Sequence, residues 1–192
     1  MIHRHFVLYK PDGYLSQFVN HQTKRKNKKL LGELHDFPEG TMAIGRLDEP
    51  SEGLLFLTTD GKMSEHIRSE CIEKEYFIQI DGVIDNQLIK ELSTGIEIAT
   101  DAGPYKTKPC QVSLLEVAPE LPSRNKNIRD GRHGPTSWLS ITLTEGKYRQ
   151  VRKITAAVGF PTLRLFRVRI GNTRLGNMQP GNVIEVEQFD TW

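Results

Sequence analysis

Residues 45–61 read GRLDEPSEGLLFLTTDG, and this segment sets the expectations for both the fold and the chemistry. The run Gly53–Thr59 is rich in apolar residues and predicts a buried strand that ends at the following Asp-Gly pair. Asp48 precedes a turn-forming Glu-Pro pair shortly before that strand. By spacing alone a carboxylate in this place is typical of a helix or turn cap, and a catalytic carboxylate is the alternative.

Short strands are predicted on both sides of this segment because apolar residues there run together or alternate. The predicted strands cover residues 6–9, 75–80, 112–115, 138–143, 163–170 and 183–186. The predicted helices run from a cap at Ser64 to Glu70, from Asp85 to Gly95, and over 151–158 before Gly159. Strands outnumber helices, so we expect an α+β fold with a mixed, largely antiparallel central sheet flanked by short helices and loops.

The charge of the chain is more informative in its distribution than in its sum. The formal net charge is +2, from 26 basic and 24 acidic residues. Yet residues 146–175 carry Lys and Arg with no Asp or Glu, and further basic clusters lie at 24–29 and 124–132 in predicted loops. A single cluster is typical of a solvated surface, but three on a nearly neutral chain indicate a polyanionic partner. Nucleic acid is favoured over a membrane because no basic amphipathic helix carries bulky apolar anchors.

Several kinds of site are excluded by what the sequence lacks. The six histidines include no i, i+4 pair on a helix and have no companion carboxylate at ligand spacing, so no metal site is expected. There is no GxxxxGK[ST] loop, no GxGxxG after a strand and no nucleophile elbow. Cys71 and Cys110 are typical of small buried residues in a reducing compartment. Without a bilayer-length apolar run or a signal-peptide core, the chain is expected to be cytoplasmic and globular.

The segment at 45–61 resembles the catalytic signature of the pseudouridine synthases, in the branch that acts on ribosomal RNA. The family form G-R-L-D-x-x-[ST]-x-G-L-[LI]-[LF]-L-T-x-D-G is matched throughout, with Ser51 where Thr is commoner. Further elements of the family match in order: KPDG at 10–13, KEY at 74–76, EGKYRQVRK at 145–153 and LFRVRIG at 165–171. Residues 157–165 are most similar to a group of this branch that modifies the large ribosomal subunit.

The resemblance implies an isomerase that converts uridine to pseudouridine with no cofactor. It gives Asp48 the step at the sugar, either as nucleophile at C1′ or as the group that assists glycal formation. Arg152 would keep Asp48 ionised through a permanent positive charge. Tyr76 would lie against the base, with its hydroxyl placed to accept or relay the C5 proton, and Leu165 would pack on the other side. Without the resemblance, Tyr76 and Leu165 are equally typical of core residues.

The expected partner is large-subunit ribosomal RNA, with the target uridine flipped out of its stack. Phosphate contacts are expected from Lys10, Arg46, Arg149, Lys153, Arg167 and Arg169. Two alternatives stay open because the motifs encode the reaction and not the target. One is the same reaction on small-subunit ribosomal RNA or transfer RNA, and the other is a non-catalytic RNA-binding or ribosome-assembly protein.

The KPDG element lies almost at the start of the chain. We therefore expect no N-terminal accessory RNA-binding domain. Residues 1–192 are expected to form a single catalytic domain, with room for two lobes around a central cleft, and nothing in the sequence requires more than a monomer.

Overall fold

A computed structural model describes residues 2–20, 27–69, 72–124, 128 and 131–191. The chain divides into two compact units: unit 1 comprises Met1–Ile72 with Arg167–Trp192, and unit 2 comprises Glu73–Phe166. The strands are β1 (His5–Lys10), β2 (Met42–Ile44), β3 (Glu52–Thr58), β4 (Lys74–Asp81), β5 (Glu97–Thr100), β6 (Gly103–Lys106), β7 (Gln111–Leu115), β8 (Thr136–Leu143), β9 (Thr162–Ile170), β10 (Thr173–Arg174) and β11 (Val183–Val186). The helices are α1 (Gly61–Ser69), α2 (Asn86–Ser93) and α3 (Gln150–Ala157), with 3₁₀ turns at Leu31–Glu33 and Gly131–His133.

Unit 1 is built on two strands that are buried along their whole length, β1 and β3. They pair antiparallel with Phe6 opposite Leu57, and the strand order is β11-β1-β3-β9, with β2 added beside β3 and β10 beside β9. Because both faces are covered, both strands read as nearly continuous apolar runs instead of alternating patterns. Side chains of these two strands form one core cluster with Leu31, and its members are Phe6, Leu8, Leu31, Leu55 and Leu57.

Helix α1 begins earlier than the sequence indicated. The prediction that Ser64 caps this helix is wrong: Ser64 is 3 % exposed inside the helix, which starts at Gly61. The cap is Asp60, whose Oδ1 accepts the backbone N–H groups of Lys62 at 2.9 Å and Met63 at 3.3 Å. The predicted end at Glu70 lies outside the described residues.

Unit 2 has the strand order β9-β4-β8-β7 and a separate antiparallel pair, β5 with β6. Strand β4 buries Tyr76, Ile78 and Ile80 and pairs antiparallel with β8, which confirms the alternation predicted for it. Helix α2 is capped by Asp85, whose Oδ1 accepts the Leu88 N–H at 2.8 Å, also as predicted. The expected α+β class with a largely antiparallel sheet and short helices is therefore confirmed.

No helix within the described part of the chain is long and apolar enough to cross a membrane.

Candidate active site

Asp48 lies in a tight turn that leads directly into β3. The backbone N–H of Ser51 donates to the Asp48 carbonyl oxygen at 2.9 Å, which closes the turn. On the other side, the Ser16 hydroxyl donates to the Leu47 carbonyl oxygen at 2.8 Å and accepts the Leu47 N–H at 3.0 Å. The backbone N–H and carbonyl of Leu47, the residue before Asp48, are thus both hydrogen-bonded to the buried Ser16 side chain. Ser16 carried no signal in the sequence.

The buried side chain of Lys10 stabilises the same turn. The side chain is completely buried, and its ammonium donates to the carbonyl oxygens of Pro11 at 2.9 Å, Glu49 at 3.3 Å and Ser51 at 2.7 Å. An ammonium has three N–H donors, so each has an acceptor here. The Glu49 carbonyl oxygen also accepts the Gly13 N–H at 2.9 Å. This arrangement favours a role for Lys10 in positioning the Asp48 turn over the phosphate contact expected from the sequence.

The charge of Lys10 is sensitive to pH in the folded protein. Burial lowers the pKa of Lys10 to about 7, because a charged group loses its hydration inside the unit. The carboxylates of Asp12, Glu52, Asp48 and Glu49 oppose this effect by favouring the charged form. The Lys10 side chain, which contacts the turn that carries Asp48, therefore changes charge near neutral pH.

Replacing Lys10 by Met is expected to change how stability depends on pH. The pKa is about 7 when folded and 10.5 for an ordinary lysine, so between these values the folded state binds fewer protons. Lys10 then makes stability rise with pH from about 7 towards 10.5, while below 7 its desolvation cost is present in full. In urea unfolding, the stability of wild type relative to Lys10→Met should grow by up to about 1.4 kcal/mol per pH unit in this window.

Lys90, an exposed lysine on α2, offers the matched control, and Lys90→Met should follow the wild-type pH dependence. Parallel curves for wild type and Lys10→Met would show that the buried ammonium does not titrate in this range.

The basic cluster at 24–29 also meets the Asp48 turn. The Lys28 ammonium bonds both carboxylate oxygens of Glu49, at 2.7 and 2.6 Å, and the Lys29 ammonium lies 5.4 Å from the centre of the Tyr14 ring. These two lysines are therefore engaged with the protein in this structure. Lys24, Arg25 and Lys26 lie outside the described residues.

The other predicted catalytic residues belong to unit 2. Tyr76 on β4 is 9 % exposed and Leu165 on β9 is 5 % exposed. Arg152 on α3 is half-buried, and its Nη1 lies 3.5 Å from the Thr162 carbonyl oxygen as a hydrogen-bond donor. Asp48 belongs to unit 1, so its pairing with Arg152 and the place of Tyr76 and Leu165 beside the substrate stay predictions.

The loop that leads into α3 is organised by Glu145, a residue whose role the sequence did not reveal. Its carboxylate accepts the Tyr105 hydroxyl at 2.6 Å, the Lys108 backbone N–H at 2.7 Å and the Gln150 side-chain amide at 2.6 Å. Burial raises the pKa of Glu145, but these hydrogen bonds outweigh it and the net pKa is lowered. An ionised Glu145 thus links the start of α3, the helix that carries Arg152, to β6 and to the chain that follows it.

The predicted phosphate-binding residues differ in how accessible they are. Arg46 and Arg149 are exposed, and the Lys153 ammonium donates to the Ala99 carbonyl oxygen at 2.7 Å. Arg169 is half-buried and donates to the Gly171 carbonyl oxygen at 2.8 Å. Arg167 is only 4 % exposed, and its Nε donates to the Leu54 carbonyl oxygen at 2.7 Å. This burial favours support of β3 by Arg167 over a phosphate contact.

The described residues offer neither a metal-binding cluster nor an activated cysteine thiol. Among the side chains that the structure describes, no three of His, Cys, Asp and Glu gather closely enough to bind a metal ion. Cys110 is a half-buried free thiol, and burial raises its pKa, which disfavours the reactive thiolate. Cys71 lies outside the described residues.

Several known proteins are similar to this chain over most of its length. A ribosomal large subunit pseudouridine synthase E of Xanthomonas campestris is 41 % identical over 177 residues, which is 91 % of each chain. A protein of the same name from Vibrio parahaemolyticus is 37 % identical over 94 % of this chain and 73 % of its own length. A crystal structure of a pseudouridylate synthase has a TM-score of 0.75 and 23 % identity, and the match covers 96 % of this chain and 70 % of that one.

The family model for RNA pseudouridylate synthase matches residues 4–157, which include the Asp48 turn, β4 and the loop and helix organised by Glu145. The match covers most of the chain, and the sequence relatives align over nearly all of it. The chain therefore belongs to the RNA pseudouridylate synthase family.

Proposed function

We propose that this protein isomerises a specific uridine of large-subunit ribosomal RNA to pseudouridine, as a cytoplasmic monomer. The observation that carries the proposal is the Asp48 turn, which is held by Lys10 and Ser16 at the start of β3. The relatives named for the large subunit support this RNA as the substrate.

The reaction is an internal rearrangement and needs no oxidant or co-substrate. The bond from uracil N1 to ribose C1′ breaks, the detached uracil turns, and C5 bonds to C1′. C5 then loses its proton and N1 gains one, so the product has the composition of the substrate. Asp48 acts at the sugar, as nucleophile at C1′ or by assisting glycal formation, and either role requires its ionised form.

The remaining assigned residues supply charge and surface around the reacting groups. Arg152 is charged at every working pH and can hold a carboxylate with two parallel hydrogen bonds, which a lysine does less well. Tyr76 offers a flat ring to the uracil and a hydroxyl for the C5 proton. Leu165 offers an apolar contact to the base or ribose, and its burial suits a side chain that excludes water.

RNA affinity is expected to fall steeply with salt because phosphate contacts release bound counterions. Arg46 and Arg149 are the exposed cations among the assigned contacts, so neutralising both should flatten the log–log salt slope by about 1.4, at roughly 0.7 per contact for single-stranded RNA. Filter binding at a series of salt concentrations measures this slope. Lys90→Ala removes an exposed charge on α2 as a control and should leave the slope as it is. An unchanged slope in the double variant would remove both arginines from the interface.

The proposed function is tested by mapping pseudouridines in ribosomal RNA from cells with and without this protein. The expected result is the loss of one large-subunit modification, which the purified protein restores on a transcript of the same RNA. A missing modification in small-subunit or transfer RNA would keep the chemistry and change the substrate. Unchanged maps, together with tight RNA binding, would favour a non-catalytic RNA-binding protein.

A further inference from the structure

Tyr148 is an aromatic side chain displayed to solvent in the middle of a catalytic motif. It is 69 % exposed, and it is the only aromatic residue among the exposed large hydrophobic side chains in the described part of the chain. It lies four positions before Arg152, in the loop between β8 and α3. A large ring in water on a functional loop suits recognition better than folding, because burying it would have contributed to stability.

The loop that presents Tyr148 is held in one conformation by groups other than its ring. The Lys147 N–H donates to the Gln150 side-chain oxygen at 2.9 Å, and the Gln150 N–H donates to the Lys147 carbonyl oxygen at 3.1 Å. The Gln150 amide is held in turn by Glu145. Arg149 closes the loop in the left-handed region at φ 52°, the one non-glycine residue with positive φ among the described residues. A ring on such a loop loses little conformational freedom on binding.

The Tyr148 ring has one cation against it and a second on the neighbouring residue. The Lys153 ammonium lies 5.4 Å from the ring centre and is fixed there by its hydrogen bond to the Ala99 carbonyl oxygen. Arg149, the next residue, is exposed, and residues 146–153 contain no acidic side chain. The site therefore combines an exposed aromatic ring with an anchored cation, Lys153, and an exposed cation, Arg149, and a nucleotide can use such a pairing for its base and its phosphate.

We propose that Tyr148 is a stacking platform for an unpaired base of the substrate RNA other than the target uridine, with Arg149 and Lys153 directed at the adjoining phosphates. The proposal rests on the proposed function for the identity of the RNA. A base has a flat face that matches the ring, and the cations favour a polyanion over an apolar peptide. Stacking tolerates every base, so this platform adds affinity and orients the strand without reading its sequence.

The test compares Tyr148→Phe, Tyr148→Leu and Tyr148→Ala in filter binding to in vitro transcribed large-subunit ribosomal RNA. Phe keeps the flat ring and should bind within about twofold of wild type. Leu keeps apolar bulk without a flat face, so Leu and Ala should each weaken binding on the order of 10-fold. Because stacking releases no counterions, the salt slope should stay the same in all three variants. Val83→Ala, at a 68 % exposed position in unit 2, is the control and should bind as wild type does.

Single-turnover tritium release from RNA labelled at uracil C5 separates this proposal from the proposed function. With labelled RNA kept below the protein concentration, the protein concentration for half-maximal rate should rise about 10-fold in Tyr148→Ala, while the rate at saturating protein is kept. Wild-type binding by Tyr148→Ala, equal binding by Leu and Phe, or an equal loss in Phe would each overturn the platform. Failure of the wild-type protein to release tritium would instead overturn the proposed function. Filter binding of the Tyr148 variants would still decide whether the Tyr148 ring stacks on a base.

Discussion

Asp48→Asn is expected to lose tritium release from C5-labelled RNA by roughly four orders of magnitude or more, the scale on which enzymes lose rate without their nucleophile. Asn has nearly the same shape but no anionic oxygen, so it can neither attack C1′ nor assist glycal formation. The turn should survive the change, because it is closed by the Ser51 N–H on the Asp48 backbone and by Lys10 and Ser16 on its neighbours. RNA binding should be equal to wild type or tighter, since one negative charge near phosphates is removed.

The matched control is Asp101→Asn, which removes an exposed carboxylate from unit 2 and should keep the full rate. Filter binding of the same RNA and urea unfolding separate a chemical loss from a folding loss. Tritium release by Asp48→Asn at the wild-type rate would end the catalytic assignment, and the RNA-binding alternative would then become the leading interpretation.

Gly53→Ala is expected to cost most of the stability of unit 1. Gly53 is the second residue of β3 and lies opposite Lys10 on β1, and its φ of 104° lies in the left-handed region that an alanine adopts only under strain. A Cβ at this position would overlap the Arg167 carbonyl oxygen and lie 2.8 Å from the Arg167 backbone nitrogen. Backbone strain of about 1–3 kcal/mol and overpacking of about 1–3 kcal/mol add to roughly 2–6 kcal/mol.

A loss of this size approaches the whole stability of many domains, so the variant should unfold at much lower urea and lose activity with its fold. Gly61→Ala is the control from the same motif: Gly61 has no positive φ, no atom lies within 4 Å of its added Cβ, and it opens α1. This change should be neutral or slightly stabilising. If Gly53→Ala unfolds at the same urea concentration as wild type, β3 and the Arg167 backbone do not approach as closely as described.

The elements predicted correctly are those whose signal is local. The apolar run of β3 and the alternation of β4 depend on the sequence pattern of each strand alone. The start of α2 at Asp85 depends on one side chain that bonds a backbone N–H three residues later. Such signals lie within a few neighbouring residues, so they can be read without any tertiary contact.

The elements that were missed have weak local signals. Strands β5 and β6 are four residues each, and β6 begins with a Gly-Pro pair that reads as a turn. The start of α1 was placed at Ser64 because Asp60 reads as the turn residue that ends β3. Asp60 both ends β3 and caps α1, and only the hydrogen bonds from the Lys62 and Met63 N–H groups show the second role.

The order and spacing of the motifs are specific to one chemistry, so the family and the candidate carboxylate Asp48 can be identified without any tertiary contact. The roles of the basic and acidic residues around those motifs depend instead on contacts between distant segments. Lys10 bonds carbonyl oxygens 39 and 41 positions away, and Arg167 bonds one 113 positions away. A buried cation with such partners supports a turn or a strand, whereas the same residue in a loop contacts phosphate. Composition and spacing do not distinguish a buried supporting cation from an exposed phosphate-binding one. Burial and hydrogen-bond partners distinguish them, and these are set only when distant segments meet.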